Sequence, residues 1–164
     1  MSPFCINMYL FLVFATLLMA ANPSTSTSSA PTEDRRNMFF STFHVHAVNG
    51  LSSNKILFIH CKSADDDLGE HNLTANNEFQ WKFKTNFFET TLFWCFMASR
   101  SDHVHAKFNV FMMNKALFYK CNWKHCIWIA KDDGIYLRNI PQNYDEFQYK
   151  WERDVGPLAN FTII

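Results

Sequence analysis

The chain has no excess of charge of either sign. Fifteen lysines and arginines balance fifteen aspartates and glutamates, so the formal net charge is zero when the histidines are neutral. Proteins that bind nucleic acids nonspecifically, and cationic proteins that lyse membranes, depend on a strong positive field. The composition therefore argues against both classes, and no nucleic-acid partner is expected.

Charged side chains are also missing from the first 21 residues, which contain the apolar run "YLFLVFATLLMA" from Tyr9 to Ala20. An apolar run of about 7–15 residues followed by small residues is typical of a secretory signal peptide, whereas a membrane-spanning helix needs about 20. We therefore predict that residues 1–21 are a signal peptide and that the mature chain has no stable membrane insertion. The usual basic start is absent, which leaves an uncleaved anchor as the alternative.

Apolar side chains are scarce in residues 22–37, which read "NPSTSTSSAPTEDRRN". Such a segment has little to bury and predicts a disordered tail rich in serine, threonine and proline. Residues 38–164 are then predicted to form one domain, because this length is sufficient for a single core. The domain contains most of the aromatic residues, which make up 17% of the chain.

Cysteine usage agrees with export. Cys5 leaves with the predicted signal peptide, and the mature chain keeps Cys61, Cys95, Cys121 and Cys126. An even number of cysteines in a secreted domain predicts two disulfides, for which three connectivities are possible. A zinc site is a weaker interpretation, because the "CNWKHC" pair is not followed by a second compact pair.

Two glycosylation sequons are usable in a secreted chain. They are "NLT" at Asn72 and "NFT" at Asn160, whereas "NPS" at Asn22 is excluded by its proline. Asn72 follows an acidic stretch, which favours a surface position. Both asparagines are therefore predicted glycosylation sites.

Helical spacing of apolar residues is hard to find, whereas alternation with a period of two recurs along the domain. About eight segments indicate short strands, namely "TFHVHAV", "KILFIHC", "EFQWKFK", "TLFWCFM", "HAKFNVFM", "CIWIA", "IYLRN" and "FQYKWER". The continuously apolar second and fourth segments predict central strands, and Asp133-Gly134 predicts a tight hairpin. The pattern predicts an all-β fold: an antiparallel two-sheet β-sandwich of about eight short strands, stapled by disulfides.

The alternation also predicts which side chains face the core. The inward positions are Phe43, Val45, Ala47, Phe79, Trp81, Phe83, Ala106, Phe108, Val110, Met112, Phe147, Tyr149 and Trp151. Burial of a large apolar side chain contributes about 1.5–3 kcal/mol. Loss of the aromatic members is therefore expected to unfold the protein.

Two His-Val-His elements, His44/His46 and His103/His105, place paired imidazoles on strand faces, a spacing that some zinc enzymes use. Their neighbours Val45 and Ala106 face inward, so we interpret these histidines as surface residues. A small secreted hydrolase that uses them is the alternative, because such sites assemble across strands without a linear signature.

Asp65, Asp66 and Asp67 could bind calcium, but their spacing does not match an EF-hand loop, so we interpret them as a solvated loop. Catalysis by a cysteine nucleophile is disfavoured because a thiol locked in a disulfide cannot attack. We therefore expect no enzymatic activity and no catalytic, cofactor-binding or metal-ligating residue.

Several segments between Phe43 and Glu152 resemble the plant self-incompatibility S-protein homologue family, among them "HVHAVNGLSSNKILFIHC", "FQWKF", "TTLFWC", "CIWIAKDDGIYL" and "YKWE". The resemblance implies a small secreted β-sandwich with no known enzymatic activity, in which Cys61, Cys95, Cys121 and Cys126 are the paired set. Founding members of the family act as pistil-side ligands for a pollen surface receptor, whereas most homologues have no assigned role. It therefore implies an extracellular ligand with a cell-surface receptor as partner, without establishing a role in pollen rejection.

Recognition is expected in the loops, which vary while a rigid sandwich positions them. The candidate segments are Ser63 to Glu70, Ala98 to Val104 and Asn114 to His125. The last displays Tyr119 and Trp123, residue types that are frequent in interface hot spots. A second interpretation of Trp123 is that it covers the neighbouring disulfide.

Overall fold

The computed structural model describes residues 41–86, 88 and 90–153. Their elements are β1 (Thr42–Asn49), β2 (Leu57–Lys62), β3 (Asp67–Leu73), β4 (Glu78–Lys84), β5 (Phe93–Ser99), β6 (Val104–Phe111), α1 (Lys115–Lys120), β7 (His125–Lys131), β8 (Gly134–Asn139), β9 (Tyr144–Tyr149) and β10 (Glu152–Arg153). The predicted signal peptide and tail, Cys5 and Asn160 lie outside the described residues. The domain boundaries therefore stay a prediction.

The strands form two five-stranded sheets. The first sheet has the order β4-β1-β7-β8-β9, and the second has the order β10-β6-β5-β2-β3. The predicted all-β, disulfide-stapled sandwich is confirmed, with β2 and β5 as interior strands of the second sheet. One pairing differs from the expected antiparallel arrangement, because β1 and β7 run parallel. These strands are far apart in sequence, so no hairpin forces them to be antiparallel.

The core lies between the sheets and is rich in aromatic rings. Phe43, Val45 and Ala47 of β1 are fully buried, as their alternation predicts. The Phe43 ring packs 4.9 Å from Phe111. Across the core, the indole nitrogen of Trp128 in β7 donates a hydrogen bond of 2.9 Å to the carbonyl oxygen of Val110 in β6. A directional bond thus joins the two sheets in addition to apolar packing.

A β-bulge in β6 corrects one predicted core position. Phe93 pairs with Phe111 but Trp94 pairs with Asn109, so one extra residue interrupts the alternation. Both Val110 and Phe111 are consequently fully buried, whereas Met112 is 38% exposed. The prediction that Met112 faces inward is wrong, since it assumed an unbroken period of two.

A second bulge corrects the interpretation of β9. Ile135 pairs with Tyr149 and Tyr136 with Phe147, which leaves Gln148 as the extra residue. Phe147 therefore contacts the outward-facing Tyr136, at 5.4 Å between ring centroids, and is 43% exposed. The prediction that Phe147 and Tyr149 are buried in the core is wrong. The Tyr149 ring stacks on Phe108, but the side chain also remains partly exposed.

The aromatic residues of β4 occupy an edge strand of the first sheet. Phe79, Trp81 and Phe83 pack against the core but are only partly buried, and so is Trp151. The face predicted for them is confirmed, and their complete burial is not. An edge strand has no neighbour on one side to cover its side chains, which accounts for the difference.

The structure contains two elements that the periodicity did not predict, the strand β3 and a helix. β3 lies at the edge of the second sheet and buries only Leu73, so its sequence shows no apolar alternation. The short helix α1 begins after Asn114, whose side-chain oxygen accepts hydrogen bonds from the backbone nitrogens of Ala116 at 2.8 Å and Leu117 at 3.1 Å. This is a capping interaction at the helix start. Phe118 of α1 is buried in the core. Six residues are too few for helical spacing to be visible in the sequence.

Two disulfides form, and their connectivity is Cys61–Cys95 and Cys121–Cys126. Cys61 and Cys95 lie directly opposite each other on the neighbouring strands β2 and β5. Cys121 ends α1, and Cys126 lies in β7. All four side chains are fully buried, so each disulfide is shielded from solvent.

A buried asparagine holds together the turns that follow β1 and β3. Asn49 has no exposed surface, and its amide nitrogen donates to the carbonyl oxygens of Lys55 and Leu73, each at 2.8 Å. Its amide oxygen accepts from the backbone nitrogen of Leu51 at 3.0 Å. Buried polar groups are stable only when hydrogen-bonded, so this side chain and three backbone groups depend on one another.

We predict that the two disulfides stabilise the fold unequally. They span sequence separations of 34 and 5 residues. Loop-closure entropy then gives about 4 kcal/mol for Cys61–Cys95 and about 2 kcal/mol for Cys121–Cys126. In urea unfolding, the double variant Cys61→Ala/Cys95→Ala should lose about 2 kcal/mol more than Cys121→Ala/Cys126→Ala. Asp66→Asn, an exposed control, should lose little, and equal losses in the two double variants would contradict the expectation.

We also predict that Asn49→Ala lowers the free energy of unfolding by about 3 kcal/mol or more. The substitution leaves three buried backbone groups without their partner, at about 1–3 kcal/mol for each unsatisfied group. Asn109→Ala is the control, because Asn109 lies exposed on β6. Chemical denaturation measures both variants. A loss for Asn49→Ala no larger than that of the control would show that the buried network is dispensable.

Candidate functional site

Strand directions assign the connections to two ends of the sandwich. At the end we call the cleft end lie the connections 63–66, 85–86 with 90–92, 112–124 and 140–143. At the opposite end lie the connections 50–56, 74–77, 100–103 and 132–133. The candidate segment Asn114 to His125 and the residues 63–66 of the segment Ser63 to Glu70 therefore lie at the cleft end. Asp67 to Glu70 belong to β3, so the prediction that they form a loop is wrong. The third candidate segment, Ala98 to Val104, lies at the opposite end.

The cleft end contains a recess with a volume of about 370 Å³. One wall is the turn Ser63–Asp66, and its lining also includes Phe83, Lys84, Leu92 and Trp94. The hydroxyl oxygen of Ser63 accepts hydrogen bonds from the backbone nitrogens of Asp65 at 3.3 Å and Asp66 at 3.0 Å, which fixes the turn. The recess is thus lined by two carboxylates together with apolar and aromatic side chains.

The three consecutive aspartates have different roles. Asp65 and Asp66 are exposed in the turn, whereas Asp67 begins β3. The Asp67 carboxylate lies 2.6 Å from the ring nitrogen Nε2 of the buried His60 and 3.1 Å from Lys62 Nζ. The hydrogen bond with His60, followed by those with the Gly69 backbone and Lys62, holds the pKa of Asp67 well below its usual range. Asp67 therefore bonds the start of β3 to β2, although its side chain is half exposed. The interpretation of the three aspartates as a solvated loop is wrong for Asp67, and Asp65 and Asp66 are exposed as expected.

Large exposed apolar side chains are concentrated at the cleft end. Phe88 is 80% exposed, Tyr119 49% and Trp123 43%, and Leu92, Met112 and Tyr144 are also exposed. The Trp123 ring lies 6.0 Å from the ring of buried Phe118. Trp123 therefore packs against Phe118 of α1 and remains partly exposed. Its contact with a partner stays a prediction.

The opposite end is tied together by charge. Lys55 Nζ lies 3.0 Å from a carboxylate oxygen of Asp132 and 3.1 Å from one of Asp102. These contacts, with Asp132 first, raise the pKa of Lys55. The hydroxyl of Ser99 donates to Asp102 at 2.7 Å, and this bond, assisted by Lys55, lowers the pKa of Asp102. The loop containing Asp102 is thus bonded to the connection 50–56 through Lys55, which also binds Asp132. Two connections of the cleft end are bonded as well, because the backbone nitrogen of Ile140 donates to the carbonyl oxygen of Lys120 at 2.9 Å.

The two His-Val-His elements do not come together. His44 and His46 lie on β1 in the first sheet, whereas His103 lies in a turn and His105 on β6 in the second sheet. The partner of the first pair is instead His125 of β7, which the sequence did not single out. No local signal could have identified it, because its proximity depends on the parallel pairing of two distant strands.

The three histidines His44, His46 and His125 form what we call the histidine cluster. Nε2 of His46 lies 3.1 Å from Nδ1 of His125, and Nδ1 of His46 lies 3.3 Å from a carboxylate oxygen of Glu78. The His44 ring stacks on His125 at 4.8 Å between centroids. Burial, followed by the charges of His44, His46 and Lys124, lowers the pKa of His125. Among the described residues, no three potential ligands already converge on a metal position.

Asn72 lies on β3 with its side chain exposed, which is compatible with the predicted glycosylation. The sugar itself stays a prediction, as it does for Asn160. In the described part of the chain, no helix has both the length and the apolar character needed to cross a membrane.

Comparisons with known proteins agree on one family. The sequence profile described as plant self-incompatibility protein S1 matches residues 44–151. S-protein homolog 1 of Arabidopsis thaliana is 40% identical over 148 residues, which cover 90% of this chain and 97% of the relative. S-protein homolog 74 of the same plant is 43% identical over 112 residues, covering 68% of this chain and 73% of the relative.

A solved structure supports the same fold. It is a plant self-incompatibility protein homologue, described as one of a widespread family of small, highly stable, secreted proteins, and it is 20% identical to this chain with a TM-score of 0.55. The match covers 70% of this chain and 97% of the solved one. The chain therefore belongs to the plant self-incompatibility protein S1 family and is a small secreted β-sandwich protein.

Proposed function

We propose that this protein is a non-enzymatic extracellular ligand that binds a cell-surface receptor protein through its cleft end. The observation that carries the proposal is the distribution of the large exposed apolar side chains. Of the nine among the described residues, six lie at the cleft end, whereas the connections of the opposite end contain Ile56. The cleft end combines a recess with most of the exposed large apolar side chains of the described residues.

The chemistry of the cleft end suits a protein partner. Exposed apolar side chains that cluster, rather than scatter singly, mark interaction surfaces. Tyr119 and Trp123 belong to the residue types that supply most binding energy in interfaces. Both lie on the segment held by the Cys121–Cys126 disulfide and by the buried Phe118. A partner would thus meet a surface that is already ordered, which lowers the entropic cost of binding.

The non-enzymatic part of this proposal is supported by the contents of the recess. The runner-up function, a hydrolase, would need acid–base groups that meet a substrate within hydrogen-bond reach. His46 lies within hydrogen-bond distance of His125 and Glu78, but on the outer face of the first sheet and outside the lining of the recess. The recess at the cleft end is lined instead by the carboxylates of Asp65 and Asp66 with Lys84. Turnover of RNA, glycan or ester substrates that is abolished by His105→Ala would revive the hydrolase.

We predict that Tyr119→Ala and Trp123→Ala each weaken saturable binding of the labelled protein to intact plant cells by roughly tenfold or more, since truncation of a hot-spot residue costs about 2 kcal/mol or more. Asp66→Asn should weaken binding less, because an exposed charge affects mainly the association rate. Binding isotherms with fluorescent protein measure the change, and circular dichroism confirms that each variant is folded.

The matched control is Ile56→Ala. Ile56 is an exposed large apolar residue at the opposite end, so its loss tests whether any exposed apolar side chain has the same effect. Wild-type affinity is expected for this variant. If Ile56→Ala weakens binding as much as Tyr119→Ala, or if no cleft-end variant weakens it, recognition does not occur at the cleft end.

A further inference from the structure

We propose that the histidine cluster is a binding site for a divalent transition-metal ion such as Zn²⁺, Ni²⁺ or Cu²⁺, with His46 and His125 as the principal ligands. Neutral imidazole is a common ligand of these ions. The cluster lies on the outer face of the first sheet and shares no residue with the lining of the recess. His125 is also the last residue of the segment Asn114 to His125, two positions after Trp123. The proposal does not rest on the proposed function, because metal binding is measured on the protein alone.

The nitrogen atoms of the principal pair are already near chelating distance. Two nitrogens that bind one tetrahedral ion at about 2.0–2.1 Å are separated by about 3.3–3.4 Å. Nε2 of His46 and Nδ1 of His125 are separated by 3.1 Å. Chelation then needs a small increase in this separation and a rotation of the rings that directs both nitrogens at one point. The proton of the hydrogen bond must also move to the other nitrogen of its ring, which frees both lone pairs for the ion.

A carboxylate holds His46 in the orientation that ligation requires. Glu78 of β4 lies 3.3 Å from Nδ1 of His46, the nitrogen on the other side of the ring from the proposed ligand atom. Imidazoles that bind metals usually donate their second ring N–H to a carboxylate or carbonyl, which fixes the tautomer. This contact leaves the lone pair of Nε2 directed at the pair position. Glu78 is thus a positioning residue for the site.

A third imidazole is within reach. His44 lies opposite His125 in the parallel register of β1 and β7. The stacked arrangement of their rings directs no nitrogen of His44 at the pair, so His44 must rotate about its side-chain bonds to become a ligand. Water completes the coordination shell in either case.

The remaining charges around the cluster oppose tight binding. Lys82 pairs with His44 across β1 and β4, and Lys124 precedes His125. Glu78 is the carboxylate in contact with the cluster. The balance of charges favours modest affinity, and the imidazole ligands favour a transition-metal ion over calcium or magnesium. This proposal departs from the expectation, made from the sequence, that no residue binds a metal. The sequence did not reveal the pair because His125 lies 79 residues after His46.

The test is isothermal titration of the secreted protein, purified without a polyhistidine tag, with Zn²⁺, Ni²⁺ and Cu²⁺ separately at neutral pH. We expect one ion per chain for at least one of them. His46→Ala and His125→Ala should each weaken binding at least tenfold, and Glu78→Gln should weaken it by roughly tenfold through the loss of ring orientation. With Cu²⁺, electron paramagnetic resonance should show coupling to imidazole nitrogens that is reduced in His125→Ala.

The other His-Val-His element supplies a matched control. His103→Asn removes an imidazole from an exposed turn with positive φ, a conformation that asparagine tolerates, and should leave binding unchanged. Circular dichroism confirms the fold of each variant, and His125 is exposed enough for its loss to be tolerated. The proposal is overturned if no ion binds with one-per-chain stoichiometry. Binding that survives both His46→Ala and His125→Ala, or that is lost equally in His103→Asn, also overturns it.

Discussion

The parallel pairing of β1 with β7 is the constraint on which the rest of the structure depends. Two parallel neighbours cannot be joined by a hairpin, so the chain between them must leave the sheet and return. In many proteins a helix makes that crossover. Here the connection between Asn49 and His125 contains β4 and all but the short β10 of the second sheet. The chain that crosses over from β1 to β7 therefore builds most of the second sheet.

This arrangement also determines what meets at each end. β1 and β7 start at the same end of the sandwich. The connection before β7, which contains α1 and Cys121, therefore lies at the end where β2 finishes and β5 begins. At the other end, Asn49 bonds the turn after β1 to the end of β3, and Lys55 binds Asp102 and Asp132. Among the described residues, the cleft end therefore has the longest connection, 112–124, and most of the large exposed apolar side chains.

The sequence predicted the fold class and the interior strands because burial leaves a periodic trace wherever a strand is regular. It failed where one residue interrupted the period: the bulge near Val110 buries Phe111 and exposes Met112, and the bulge at Gln148 turns Phe147 outward. Helix α1 is too short for its own period to be visible. The cluster of His125 with His46 could not be predicted, since it depends on a pairing between distant strands that no local pattern encodes.

The separations of the cysteines bear on how the protein reaches its oxidised state. Cys121 and Cys126 are five residues apart, whereas Cys61 and Cys95 are 34 apart. Encounter of two thiols becomes less frequent as the intervening chain lengthens. The near pair therefore closes most readily in a newly exported chain, and once it has closed the other two cysteines have only each other. Chain statistics thus favour the connectivity that the structure contains over the other two.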